Sequence, residues 1–135
     1  MKEINIESDL NLICVRAKSF PEGIEDSFKT LENKVPTRKG RECFGIFEEN
    51  QNGITYRAGM LKESDDEDKK YGLENFTIKK GKYLGVTITN WQKKIESIGT
   101  TFDKMFEDER VDKNSLSVEM YKGMNDLICM VKMKK

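Results

Sequence analysis

The sequence predicts an α+β domain built from two modules of the same make, each a strand, a helix and two further strands. Three observations carry this. Short β-like runs alternate with two stretches of helical spacing, turn-forming residues punctuate them at regular intervals, and the order of elements restarts after an acidic stretch in mid-chain. At 135 residues the chain is the size of one ordinary domain, so 1–135 is read as a single unit with repeats at about 11–63 and 76–134.

In the first module "LICVRA" (12–17) is a strand, and "SFPEGIEDSFKTLENKV" changes to helical periodicity, with Ile24, Phe28, Leu31 and Val35 on one stripe. Ser19 and Glu22 have capping-box spacing, Pro21 sits in the first turn, and Pro36 stops the helix. "ECFGIFEE" and "ITYRAGMLKE" follow as a hairpin across "NQNG", whose residues tolerate positive φ. "ESDDEDKK" (63–70) reads as a solvated acidic loop, because it lacks the alternating ligands, central glycine and closing glutamate of a calcium loop.

The second module begins with "NFTIKKG" and "KYLGVTIT". A long helix, "NWQKKIESIGTTFDKMFEDE", comes next with Ile95, Ile98, Phe102 and Phe106 as its core stripe. "SLSVEMYKG" and "DLICMVKMK" close the chain as a hairpin across "GMND". A shift of 71 residues lays Ile13 on Leu84, Val15 on Val86, Phe20 on Trp91, Ile24 on Ile95 and Leu31 on Phe102. In that register Ile13, Val15 and Ala17, like Leu84, Val86 and Ile88, face the helices. Two halves too small to bury both sheet faces stabilise each other by joining, and their seam is where a cleft is expected.

Composition narrows the function. Lysine plus arginine (24) balance aspartate plus glutamate (24), which leaves no global field for a polyanion and argues against a direct nucleic-acid partner. No apolar run is long enough to span a bilayer, and "MKEINIESDLN" lacks the apolar stretch of a secretory signal, so a cytoplasmic protein with no membrane partner is expected. Cys14, Cys43 and Cys129 are unpaired in spacing and read as buried thiols. With no histidine in the chain, imidazole metal sites and histidine-based triads are excluded; no cofactor, metal or catalytic residue is assigned.

Alternation in "SLSVEMYKG" puts Leu116, Val118 and Met120 on one face and Ser117, Glu119 and Tyr121 on the other. Glu119 is therefore either on a wet sheet face or in a cavity beside an aromatic ring.

The order of elements, together with "CFGIFEE", "YRAGM", "IKKGKYLGV" and "VEMY", resembles the gyrase-inhibitor-like small-molecule-binding domain, the effector module of many AraC-type and MerR-type transcription regulators. The resemblance spans about residues 11–134 and implies one curved antiparallel sheet with two main helices and a central groove. It also implies that the acid two positions before a tyrosine on the penultimate strand, here Glu119 and Tyr121, faces that groove. Some similar proteins are hydrolases that use a groove tryptophan and glutamate, for which Trp91 and Glu119 are the matching residues. The chain lacks the helix-turn-helix segment of the regulators.

The resulting expectation is a stand-alone domain that binds a lipophilic, amphipathic cation or aromatic compound. Glu119 is the counter-charge, and Tyr121, Trp91, Tyr83, Phe44 and Tyr56 are the walls. The alternatives are a small hydrolase using the groove Glu, Trp and Tyr, and a module that contacts a separate regulator or inhibits a topoisomerase.

Overall fold

The computed structural model describes residues 1–37 and 40–134; Arg38, Lys39 and Lys135 lie outside them. Eight strands form one antiparallel sheet: β1 (Lys2–Ile6), β2 (Leu10–Arg16), β3 (Cys43–Asn50), β4 (Gly53–Leu61), β5 (Glu74–Ile78), β6 (Gly81–Thr89), β7 (Ser117–Lys122) and β8 (Asp126–Lys132). The helices are α1 (Ile24–Lys34), α2 (Glu67–Tyr71) and α3 (Ile95–Glu107), with a 3-10 turn at Trp91–Lys93.

The sheet order is β1-β6-β8-β7-β3-β4-β2-β5. The run β2-α1-β3-β4 thus fills one half, β6-α3-β7-β8 fills the other, and they meet at the β3/β7 pair. Each leading strand crosses over: β1 flanks β6 and β5 flanks β2. Residues 7–9 join β1 at one edge to β2 beside the opposite edge, and residues 79–80 join β5 to β6 in the reverse sense. Links this short require a sheet curled until its edges approach. The two links are bonded to each other, Lys80 N–H donating to Asp9 Oδ1 at 2.8 Å.

Curling gives the sheet an inside that holds one apolar core and a helix-bearing outside. Every strand sends residues inward to one core, in which Leu12, Phe44, Ile46, Val118 and Met130 are buried and Ile4, Leu61 and Phe76 pack at its margin. On the outside α1 covers Ile13, Ala58 and Met60 with Leu31 and Val35, while α3 covers Leu84, Ile88 and Leu127 with Met105.

Local chemistry moved several boundaries. The helix start expected from Ser19 and Glu22 is not used. Gly23 N–H instead donates to Ser19 O at 3.1 Å in a preceding turn, and α1 begins at Ile24 without a side-chain cap. Lys94 N–H donates to Trp91 O at 2.8 Å, closing the 3-10 turn, and α3 starts only at Ile95. That residue, expected on the core stripe, lies at the first turn beyond the sheet and is 61% exposed. The stretch expected as a solvated loop contains α2, whose Glu67 is buried. Arg41, with a side chain only 2% exposed, donates to Glu67 Oε2 at 2.6 Å and Oε1 at 2.9 Å. Arg41 also donates to Leu61 O and Glu63 Oε1, so a buried guanidinium satisfied on several sides pins the acidic segment to β4. Among the described residues no helix is long and apolar enough to cross a membrane.

Candidate ligand site

α1 rests on β2 and β4, and α3 on β6 and β8. The inner strands β3 and β7 therefore form the floor of a groove between the helices. Across that floor the register runs Val86, Cys129, Glu119, Gly45, Ala58 and Val15, all on the helix-bearing face. Glu119 thus stands at the centre of the floor, partly buried.

Its neighbour Gly45 makes the geometry possible. A Cβ built there would overlap both Tyr56 Oη and Glu119 Oε1 and lie 2.8 Å from Tyr56 Cζ, so the glycine leaves the space in which carboxylate and phenol meet. Tyr56 Oη donates to Glu119 Oε1 at 2.6 Å, and Tyr121 Oη donates to the same oxygen at 3.0 Å. Oε2 has no protein donor among the described residues, nor does any basic side chain pair with the carboxylate there. Burial pushes the Glu119 pKa above its ordinary value, against the two phenol hydrogen bonds that favour the ionised form. Burial first, and then the nearby carboxylate, raise Tyr56 and Tyr121, which stay protonated donors. The adjacent Cys129 thiol is pushed up to about 12 by the same two causes and is unsuited to act as a nucleophile at neutral pH.

Aromatic rings wall the carboxylate. Phe28 of α1 meets Tyr121 edge-on at 5.7 Å and Tyr56 at 6.4 Å, and Trp91 meets Tyr121 at 5.2 Å from the α3 side. Phe20 lies 5.1 Å from Phe47 and 5.8 Å from Tyr56. Phe20 and Trp91, placed on each other by the shift of 71, flank opposite sides of the groove. The indole Nε1 of Trp91 is buried without a hydrogen-bond partner among the described residues.

This fold is shared with solved proteins of low sequence identity. An integron cassette protein from the mobile metagenome of Vibrio cholerae superposes with a TM-score of 0.71 at 13% identity, over 98% of this chain and 94% of its own. SAV2435, solved bound to tetraphenylphosphonium, gives 0.64 at 11% identity, over 98% and 93%. A hydrolase from Listeria innocua gives 0.54 at 8% identity, over 98% and 91%. No family model and no curated protein matches the sequence.

Of the residues singled out from sequence, the structure brings Glu119, Tyr121, Tyr56 and Trp91 together. It separates Phe44 and Tyr83 from them, which corrects the expectation that these rings line the same hollow. Phe44 pairs with Met120 and alternates with Gly45, so it points into the curled core, where it is fully buried. Tyr83 points the same way and donates to Lys79 O at 2.6 Å. The floor glycine and the rings of Phe20, Phe28 and Phe47 were not singled out as site residues. A lone glycine inside the apolar run "CFGIF" was the legible signal, since such a residue marks close approach of another group.

Proposed function

We propose that the chain is a small-molecule-binding domain of the gyrase-inhibitor-like kind, and that its groove takes a lipophilic organic cation against Glu119. One observation carries this reading. A partly buried carboxylate, oriented by two phenols and without a basic partner among the described residues, stands among aromatic rings. A cation over an aromatic face gains about 0.5–2 kcal/mol, and an ion pair near 4 Å at an effective dielectric of about 20 gains roughly 4 kcal/mol before desolvation, so charge outweighs shape. Oε2 is the oxygen left for the guest. The likeness of fold to SAV2435, which was solved with such a cation, supports the same class of ligand. In this reading the domain sequesters the compound or senses it.

The chain has one tryptophan, and it sits in the groove wall, so its emission reports occupancy. Titration with tetraphenylphosphonium is expected to change that emission saturably and to raise the melting temperature with dose. Glu119→Gln is expected to weaken binding by at least about tenfold. An unchanged affinity in that variant, with native far-UV dichroism, refutes the counter-charge role.

A hydrolytic role draws on the likeness to the Listeria innocua protein and would make Glu119 the base that activates water. Turnover of an ester panel, lost in Glu119→Gln, is the result that would favour it.

A further inference from the structure

A cavity of about 560 Å³ opens at one end of the groove, with Phe47, Glu49, Phe106, Lys113 and Ser117 in its lining. Phe47 and Ser117 are paired across β3 and β7 and are the next residues after Gly45 and Glu119 on the helix-bearing face. The cavity therefore continues the floor on which Glu119 stands. Two residues beyond Phe47, on the same face, comes Glu49, an exposed carboxylate with no ion pair among the described residues.

The other charged residues of the lining, Glu48 and Lys113, have partners of their own. Glu48 projects from the opposite face and holds Arg57 at 2.9 Å. Lys113 Nζ donates to the carbonyls of Phe106 and Asp108, setting its charge against the C-terminal end of α3. Glu49 is the carboxylate of this lining left without an ion pair among the described residues, and the ring of Phe47 separates it from Glu119 along the floor. Gly45, beside Glu119, and Glu49 are four residues apart on one extended strand, about 13 Å at roughly 3.3 Å per residue.

From this spacing we infer that the groove selects elongated organic dications, one head against Glu119, the other against Glu49, with an apolar linker over Phe47 and Phe106. The inference rests on the reading of Glu119 as a counter-charge and adds the length and valence of the guest. A carboxylate as exposed as Glu49 gives a modest gain, so the second head should improve affinity by about fivefold at low salt. Most of that gain should vanish near 1 M salt, where the screening length is about 3 Å.

The test compares decane-1,10-bis(trimethylammonium), which can span the two carboxylates, with decyltrimethylammonium and with ethane-1,2-bis(trimethylammonium), all read by Trp91 emission. The expected result is a long dication about fivefold tighter than the single-headed probe, a short dication with no such advantage, and a long-to-single ratio falling to about one in Glu49→Gln. Equal binding of the long and single-headed probes, or a ratio untouched by Glu49→Gln, overturns the inference while the cation site stands. A short dication that gains as much as the long one also overturns it, because the gain would then be charge without span. Failure of both the single-headed probe and tetraphenylphosphonium to bind overturns the cation site, and the inference with it.

Discussion

Gly45→Ala is the substitution that most directly interrogates the site, because the missing side chain makes room for the Tyr56 and Glu119 oxygens. The added Cβ would collide with the phenol oxygen and the carboxylate oxygen in the middle of a paired strand. Overpacking of this kind costs about 1–3 kcal/mol. Displacing the Tyr56 hydrogen bond to a carboxylate adds about 1.5–3 kcal/mol. Replacing a strand glycine by alanine returns about 0.5–1 kcal/mol of backbone entropy. The net expectation is a loss of about 2–5 kcal/mol, which urea unfolding should register as a midpoint lowered by about 1–3 M at unchanged slope. Tyr56→Phe removes one of the two oxygens that the methyl would strike and leaves the Glu119 oxygen in place. In that background Gly45→Ala should cost less, with a coupling of about 1–3 kcal/mol in the double-mutant cycle. A variant as stable as the parent, or an alanine cost independent of Tyr56, would refute the account of the floor.

Phe44→Ala should cost about 3–5 kcal/mol by urea unfolding and leave tetraphenylphosphonium affinity intact where the protein remains folded, because the ring fills the inner core. Arg41→Leu leaves Glu67 buried without its partner; it should cost about 3–5 kcal/mol and expose the backbone amides of α2 to hydrogen exchange before those of β4. Because the Arg41 hydrogen bonds and those from the Glu63 and Ser64 backbone hold the Glu67 pKa down against burial, the stability it contributes should be present above the ordinary carboxylate range. It should fade as pH falls through the lowered value, and Glu67→Gln should flatten that acid limb in thermal melts against pH.

Much of the fold was legible because its signals are local and periodic. The alternation in "LICVRA" and "SLSVEMYKG", the stripe of Phe28, Leu31 and Val35, and the turns at "NQNG" and "GMND" all recur in the structure within a few residues. What escaped was set by tertiary contact. β1 is a short edge strand with polar alternation, held by pairing to β6, and nothing in "KEINI" announces that partner. α2 owes its place to a guanidinium 26 residues away, which propensity cannot register. Within the site, alternation left the Glu119 face open between solvent and cavity. Its partial burial depends on the positions of α1 and α3, because a sheet face is wet or covered according to what packs on it. Phe44 and Tyr83 went astray for a related reason: both are strand aromatics, but their parity puts them inside the curl.

The same parity argument explains why a charge can be held at the centre of so small a domain. Its two inner strands lie side by side at the seam, and each helix sits over its own outer pair, so the floor between them is roofed by side chains alone. Glycine at both central positions would leave a void, and glutamate at both would set two carboxylates against each other across one strand pair, which would drive one of them to take up a proton. With Gly45 facing Glu119, a single acid fits with two phenols to orient it, and its raised pKa becomes a handle on function. A cation of fixed charge binds the ionised form, so tetraphenylphosphonium affinity should be full above the raised Glu119 value and fall as pH drops through it, with proton release on binding within that range. The apo protein should show the opposite dependence. A carboxyl whose folded-state pKa lies above its unfolded one contributes stability at low pH and loses it as pH rises through the folded value, so Glu119→Gln should remove that slope. Affinity titrations at several pH values, run beside urea melts of both forms, decide the matter: parallel rather than opposed trends would mean that the titrating group is not the one that meets the guest.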